Sequence, residues 1–190
     1  HYTGMIGTQG RFSIKYGYLE AAIDFDAESG TWGAFWLQSR SMGSYIGEPE
    51  FAGTEIDIVE HRKVYGTDGS NTNIENQAVA NVHWDGYGVD HKRAGSGLIG
   101  SGLGTGFHTY GLLWTDSSYQ IRYEDVPWWT NNLAVSRRAE YLILSREVDQ
   151  TSTLWAGPIP PGGYGSRATS AVKMFVDYIR YYAPTTMAFW

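Results

Sequence analysis

The chain contains no cysteine, which excludes disulfides and thiolate metal sites while saying little about compartment. Charge is sparse: 18% of residues are charged, with 14 Lys and Arg against 20 Asp and Glu. The net charge of −6 and a pI near 5.3 argue against a nucleic-acid partner or an anionic membrane. No apolar run reaches the ~18 residues that a membrane-spanning helix needs. No HExxH or comparable metal motif occurs, so catalytic zinc is excluded and no catalytic cofactor is expected. No secretory signal precedes His1, which reads as a mature or trimmed chain.

Glycine and aromatic residues are abundant instead, with 24 Gly, 14 Tyr, 8 Trp and 7 Phe among 190 residues. That composition favours short strands joined by glycine-rich turns, an all-β sandwich or jelly roll. The length fits one domain over residues 1–190, burying about 70% of its unfolded surface. Strands are expected at Gly10–Ile14, Tyr16–Phe25, Trp32–Gln38, Thr54–Glu60, Ala78–Trp84, His108–Thr115, Ser118–Glu124, Glu140–Arg146 and Val172–Tyr182. Ser39–Gly53, Arg62–Gln77 and Gly86–Gly106 read as long loops, and Asn131–Ala139 as a short helix.

The strand at 54–60 carries the chemistry. Its run Gly53-Thr54-Glu55-Ile56-Asp57-Ile58-Val59-Glu60-His61 sets three carboxylates among apolar β-formers. Side chains alternate with period two, so Glu55 and Asp57 share a face and Glu60, an odd step away, falls on the other. One extra residue in a β-bulge at Ile58 and Val59 brings all three to one side, with Ile56 and one bulge residue pointing into the core. Three acids on one face repel one another, which points to use; the bland alternative is an edge strand charged against aggregation. Glycosidic cleavage needs such a set, one carboxyl ionised and one protonated. Mutual repulsion and burial pull the pKa values apart.

Glu55-Ile-Asp57-Ile-Val-Glu60 resembles the active-site signature of glycoside hydrolase family 16 in its β-bulge form. That form is typical of laminarinase-like endo-β-1,3-glucanases, agarases, porphyranases and carrageenases. The resemblance continues in family order through Tyr16-Gly-Tyr18-Leu-Glu20, Thr31-Trp32-Gly-Ala-Phe35-Trp36-Leu-Gln38, Asn81-Val-His83-Trp84, Phe107-His108-Thr-Tyr110-Gly-Leu-Leu-Trp114, Tyr141-Leu-Ile-Leu144 and Phe175-Val-Asp177-Tyr-Ile-Arg180. It implies a jelly-roll β-sandwich of the concanavalin A type, with Glu55 as nucleophile, Glu60 as general acid/base and Asp57 orienting them. It also implies a polysaccharide substrate, a monomer, and an extracellular (secreted) or periplasmic location. Family members usually carry tens of residues before the segment matching Tyr2-Thr-Gly-Met-Ile-Gly, so the first strands of the family unit are expected to be lacking. The arginine common after the Glu-Ala pair is Ala22 here.

Aromatic rings decide whether a cleft can hold sugar, because pyranose C–H faces stack on them. Trp32, Ala34 and Trp36 share a strand face and read as a sugar platform, the alternative being a core pair. Trp84 and Trp155 are further candidate contacts, Trp128-Trp129 could line outer subsites, and Trp114 reads as core. The resemblance places His83 near the catalytic acids, alternation turns His61 away from them, and His91 and His108 have no partner spacing that suggests a site. Asp85, Tyr87, Asp90 and Lys92 offer polar contacts at the cleft mouth. The resemblance also implies a structural calcium ion, with Asp177 as its matching ligand.

These readings converge on an endo-acting, retaining hydrolase of internal β-glycosidic bonds. A β-1,3- or mixed-linkage β-glucan is the first substrate and a β-galactan such as agar the second. The acidic balance mildly disfavours a heavily sulfated polymer. A transglycosylase on the same residues and a non-catalytic carbohydrate-binding module are the alternatives.

Overall fold

A computed structural model describes residues 3–150, 154–170 and 172–185. Its strands are β1 (Gly4–Gly7), β2 (Gly17–Asp24), β3 (Thr31–Gln38), β4 (Glu55–Arg62), β5 (Val64–Tyr65), β6 (Thr72–Asn73), β7 (Val79–Trp84), β8 (Lys92–Gly95), β9 (His108–Trp114), β10 (Tyr119–Tyr123), β11 (Val126–Asn131), β12 (Tyr141–Val148) and β13 (Phe175–Tyr182). One short helix, α1 (Pro49–Ala52), interrupts the loop before β4. One antiparallel sheet runs β1-β12-β3-β4-β7-β8 and a second runs β11-β10-β9-β2-β13, while β5 and β6 pair apart.

Period-two alternation builds the core between the two sheets. From the first sheet come Phe35 and Leu37, Ile56, Ile58 and Val59, and Ala80 and Val82. From the second come Leu19, Ala21 and Ile23, then Tyr110, Leu112 and Trp114, then Tyr119, Ile121 and Tyr123. Trp114 is a core residue, with Tyr16 edge-on at 5.7 Å between ring centroids. The jelly-roll sandwich expected from the sequence is the fold observed.

Two expected elements are different. Gly10–Ile14 is a turn closed by Arg11 and Phe12 N–H groups on the Thr8 carbonyl, and only Ile14 makes a bridge, to Glu140. The edge pairing on β12 belongs to β1 instead. The segment 131–139 is not helical, because Ala134 sits at a φ of 55°, outside the helical region. Ahead of it β10 turns back into β11 through Glu124 and Asp125, at φ 51° and 59°. Two successive left-handed residues make a tight hairpin turn, here without the glycine or asparagine that usually signals one. The three expected loops also hold short elements: α1, the β5-β6 pair and β8.

The bulge lies where parity requires it. Between β4 and β7 the register steps from Asp57↔Asn81 to Glu60↔Val79, and between β4 and β3 Ile58 is skipped. Ile58 and Val59 are both fully buried, so both bulge residues face inward. A bulge leaves a backbone group without a ladder partner, and here the Tyr123 hydroxyl donates to the Ile58 carbonyl at 3.0 Å. The second sheet thus supports β4 across the core. Tyr123→Phe keeps the ring and strands that carbonyl, so it should cost ~1–3 kcal/mol. Urea unfolding measures this, and unchanged stability would show that the hydroxyl is dispensable to the bulge.

Candidate active site

The strand register defines one solvent-facing surface on the first sheet. Directly paired residues share a face, so Gln38↔Glu55, Trp36↔Asp57, Ala34↔Glu60 and Trp32↔Arg62 lie together. β12 adds Tyr141, Ser145 and Glu147 opposite Gln38, Ala34 and Trp32. β7 adds His83 opposite Glu55 and Asn81 opposite Asp57, and β8 adds Arg93 opposite His83.

Each carboxylate has its own set of partners. Glu55 Oε2 accepts hydrogen bonds from the Tyr87 hydroxyl and from Gln38 Nε2 at 3.3 Å. Gln38 also donates to the Tyr87 oxygen at 2.6 Å and accepts from the Tyr141 hydroxyl at 2.7 Å. Asp57 Oδ2 lies 3.3 Å from His83 Nε2. Glu60 Oε2 accepts from Asn81 Nδ2 at 2.6 Å. A β-carbon at Gly95 would come within 2.5 Å of Asn81 Oδ1, so the absence of a side chain there lets the amide reach Glu60.

These surroundings separate the three acids. Burial pushes Glu60 up to about 8, the Asp57 charge adds to it, and the Asn81 amide opposes it. Burial also raises Asp57 well above the usual carboxylate range, reinforced by Glu55 and Glu147. Glu55 is raised by burial too, but the Tyr87 hydrogen bond and the His83 charge pull it back. Two donors, the Tyr87 hydroxyl and the Gln38 amide, favour the anion at Glu55. Glu60 is thus the acid that burial holds protonated at neutral pH, while the donors at Glu55 oppose the rise there.

A cavity of about 660 Å³ opens beside Glu60, lined among others by Trp32, Arg62, Asn81, His83, Arg93 and Trp155. Trp32 and Trp155 meet edge to face at 5.5 Å and form a right-angled aromatic wall. Trp36 lies half-buried on the same strand face and donates from Nε1 to Ser145 Oγ at 3.2 Å. Among the described residues, Glu55, Asp57 and His83 are the one group of three whose ligand atoms gather within 4.8 Å.

Comparison with known proteins meets this geometry directly. The family model of glycosyl hydrolases family 16 matches residues 2–180. The chain belongs to that family. It is similar to the endo-1,3-1,4-beta-glycanase ExsH of Rhizobium meliloti (strain 1021), with 29% identity over 181 residues, 95% of this chain and 33% of the relative. It is also similar to the keratan-sulfate endo-1,4-beta-galactosidase of Sphingobacterium multivorum, with 26% identity over 196 residues, covering 96% and 40%. The laminarinase catalytic domain of Thermotoga maritima MSB8 shares the fold at a TM-score of 0.66 and 22% identity, covering 96% of this chain and 69% of that one. The chain spans about a third of the length of the first curated relatives it matches.

Some family 16 residues stand elsewhere than the sequence suggests. Trp84, on the opposite face of β7 from His83, packs against the core instead of the cleft. Trp128 and Trp129 sit on β11, the outer strand of the other sheet. Asp85 is buried and holds Lys92 at 2.8 Å and the Gly47 N–H at 2.9 Å, so both charges staple the loop shut. His61 faces the core, stacked on Phe25, where burial lowers it to about 4. His91 does have a partner: its Nε2 lies 2.8 Å from His83 Nδ1. The two rings are 5° from parallel with centroids 5.0 Å apart, which is the N···N distance plus one ring radius at each end. They therefore meet end to end in one plane, and His91 settles which nitrogen His83 turns to Asp57. His108 pairs with Glu124 at 2.9 Å on the second sheet.

Asp177 is exposed on β13, and no group of three acidic or imidazole side chains forms around it among the described residues. Gln38, Asn81 and Tyr141 escaped the sequence reading because their importance lies in cross-strand register. Tyr87 was legible only as a polar residue at the cleft mouth.

Proposed function

We propose that this chain is an endo-acting, retaining glycoside hydrolase that cleaves internal β-glycosidic bonds of a polysaccharide. The observation that carries this reading is the bulged strand β4, which sets Glu55, Asp57 and Glu60 on one face beside an aromatic wall. Glu55 attacks the anomeric carbon while Glu60 gives its proton to the glycosidic oxygen, leaving a glycosyl ester on Glu55. Glu60, now ionised, takes a proton from water as that water attacks the anomeric carbon and releases Glu55. Asp57, 3.3 Å from His83 and between the two glutamates on the strand, orients them. The names of the glycanase and laminarinase relatives support a β-1,3- or mixed-linkage β-glucan as substrate. The galactosidase relative supports a β-galactan as the second reading. Such polymers do not cross membranes, so an extracellular or periplasmic location goes with this proposal.

Incubation of the purified chain with laminarin, mixed-linkage glucan and agarose, with products sized by mass, tests the reading. A ladder of oligosaccharides from one polymer is the expected result, and intact polymers throughout would refute it. The pH profile should be a bell. Glu60 must be protonated, so kcat/KM is expected to fall as pH rises through about 8. Glu55 must be ionised, so the rate also falls on acidification, at a pH higher than an exposed glutamate would set because burial raises Glu55. Glu60→Gln should remove the basic limb along with ~10²–10⁴ of the rate. A variant with the wild-type profile would take Glu60 out of the mechanism.

A further inference from the structure

The loop between β7 and β8, residues 85–91, meets the site at two points. At its base Asp85 is buried at a φ of 63° and held by Lys92 and the Gly47 N–H. A β-carbon at Gly43 would come within 2.8 Å of the Gly86 backbone, so the loop also packs directly on the segment 39–53. From this footing extend Tyr87 and His91, their ring centroids 6.1 Å apart. His91 meets His83, and the Tyr87 hydroxyl meets Glu55 although the residue is 62% exposed. The hydrogen bonds around Tyr87 run in one direction. The Tyr141 hydroxyl donates to Gln38 Oε1, Gln38 Nε2 donates to the Tyr87 oxygen, and Tyr87 donates to Glu55 Oε2. An ionised carboxylate only accepts, so every donor in this chain points toward Glu55 and each bond polarises the next. Gln38 Nε2 reaches the same oxygen at 3.3 Å. Among the described residues no donor engages Oε1.

We infer that Tyr87 is a positioning residue for the second half of the reaction: it holds Glu55 Oε2, leaves Oε1 to attack, and stabilises the carboxylate as the sugar is released. The inference rests on the glycanase reading above. In the first half Glu55 gives an electron pair to the anomeric carbon, its charge is lost into the ester, and the Tyr87 bond weakens. In the second half water attacks that carbon and its proton passes to Glu60. The bond between Oε1 and the anomeric carbon breaks, and the electron pair returns to Glu55. The returning charge meets donors already in place, with nothing to reorganise. Burial, the hydrogen bond to Glu55 and the Glu55 charge keep the Tyr87 hydroxyl protonated, so it remains a donor. Other titratable groups face Glu55 too: Asp57 and Glu60 from β4, His83 from β7, Glu147 and Tyr141 from β12, and Glu140 beside Thr54. None of these donates a hydrogen bond to Oε2. A hydrogen bond to the charged form favours that form, so losing Tyr87 makes Glu55 more basic and a poorer leaving group.

Kinetics of the full chain carrying Tyr87→Phe test this, with 2,4-dinitrophenyl β-glycosides of oligosaccharides from laminarin, mixed-linkage glucan and agarose as probes. Dinitrophenolate leaves without help from an acid, so release of the sugar from Glu55 limits turnover. In the variant kcat and KM should fall together by roughly ten- to a hundredfold, the worth of one hydrogen bond to a charged group. kcat/KM, which reports the first half, should move far less. A burst of one dinitrophenolate per chain should precede the slow phase, with the glycosyl ester visible by intact mass. The acid limb of the pH profile should shift upward, because the bond that opposes the effect of burial on Glu55 is gone. Tyr141→Phe, at the far end of the donor chain, should give the same changes at smaller amplitude. Wild-type kcat, KM and acid limb in Tyr87→Phe would overturn the inference and leave the glycanase reading in place. Equal losses of kcat and kcat/KM with no accumulated ester would do the same. Release of no dinitrophenolate from any of the three glycosides by the wild-type chain, with every polymer left intact, would overturn both.

Discussion

Glu55→Gln should lower kcat by ~10⁴-fold or more on whichever polymer is cleaved. The amide matches the carboxylate in shape and can still accept from Tyr87, so the fold and the hydrogen-bonded cluster of Gln38, Tyr87 and Tyr141 should persist. What disappears is the nucleophile, since a neutral amide oxygen does not form the glycosyl ester. An activated 2-fluoro oligosaccharide should accordingly leave a covalent sugar on the peptide containing Glu55 in the wild type and none in the variant. A variant within tenfold of wild-type kcat would show that Glu55 is not the attacking group. Because Glu60 keeps its proton in either protein, the two carboxylates can be told apart: loss of Glu60 moves the pH profile, and loss of Glu55 removes the intermediate.

Phe35→Ala is expected to cost 3–5 kcal/mol, the range for truncating a buried phenylalanine. That is a large part of the ~5–15 kcal/mol that holds a typical domain together. Phe35 is fully buried, pairs with Val59 and Leu144 in register, and sits where the β3-β4 ladder steps past Ile58. Its loss opens a void directly under the bulge. The midpoint of thermal unfolding should fall by roughly 6–20 °C for a chain of this size. Trp36→Ala, on the cleft face next to it, removes a larger side chain but should destabilise far less, because Trp36 is only half-buried. Were both changes to cost the same, the assignment of one strand face to core and the other to cleft would be wrong.

The carboxylate trio was legible in the sequence because alternation has a parity, and Glu60 violates it unless one residue is extra. The core placement of Ile56 and of Trp114 was legible for the same reason. Strand order is not written in any single strand, however, so Asn81 and Gln38 read as ordinary polar residues. They become hydrogen-bond partners of Glu55 and Glu60 only once β4 lies between β3 and β7. β11 was hidden because its turn uses Glu124 and Asp125 in the left-handed conformation, where sequence patterns lead one to look for glycine or asparagine. Trp84 was misplaced by its neighbour: His83 faces the cleft, so the adjacent residue has to face the core.

Losing one residue from a strand ordinarily turns every later side chain over. β4 has one place where it does not. Ile58 and Val59 together face a single step of β7, so deleting either leaves the step between Asp57 and the second glutamate even, and all three acids still emerge on the cleft side. A one-codon deletion there keeps the parity of the three acids and costs one fully buried aliphatic side chain together with the Tyr123 bond to the bulge carbonyl. The same deletion at Ile56 would split Glu55 from Asp57. The length of this strand is thus free to drift at one position and locked at its neighbours.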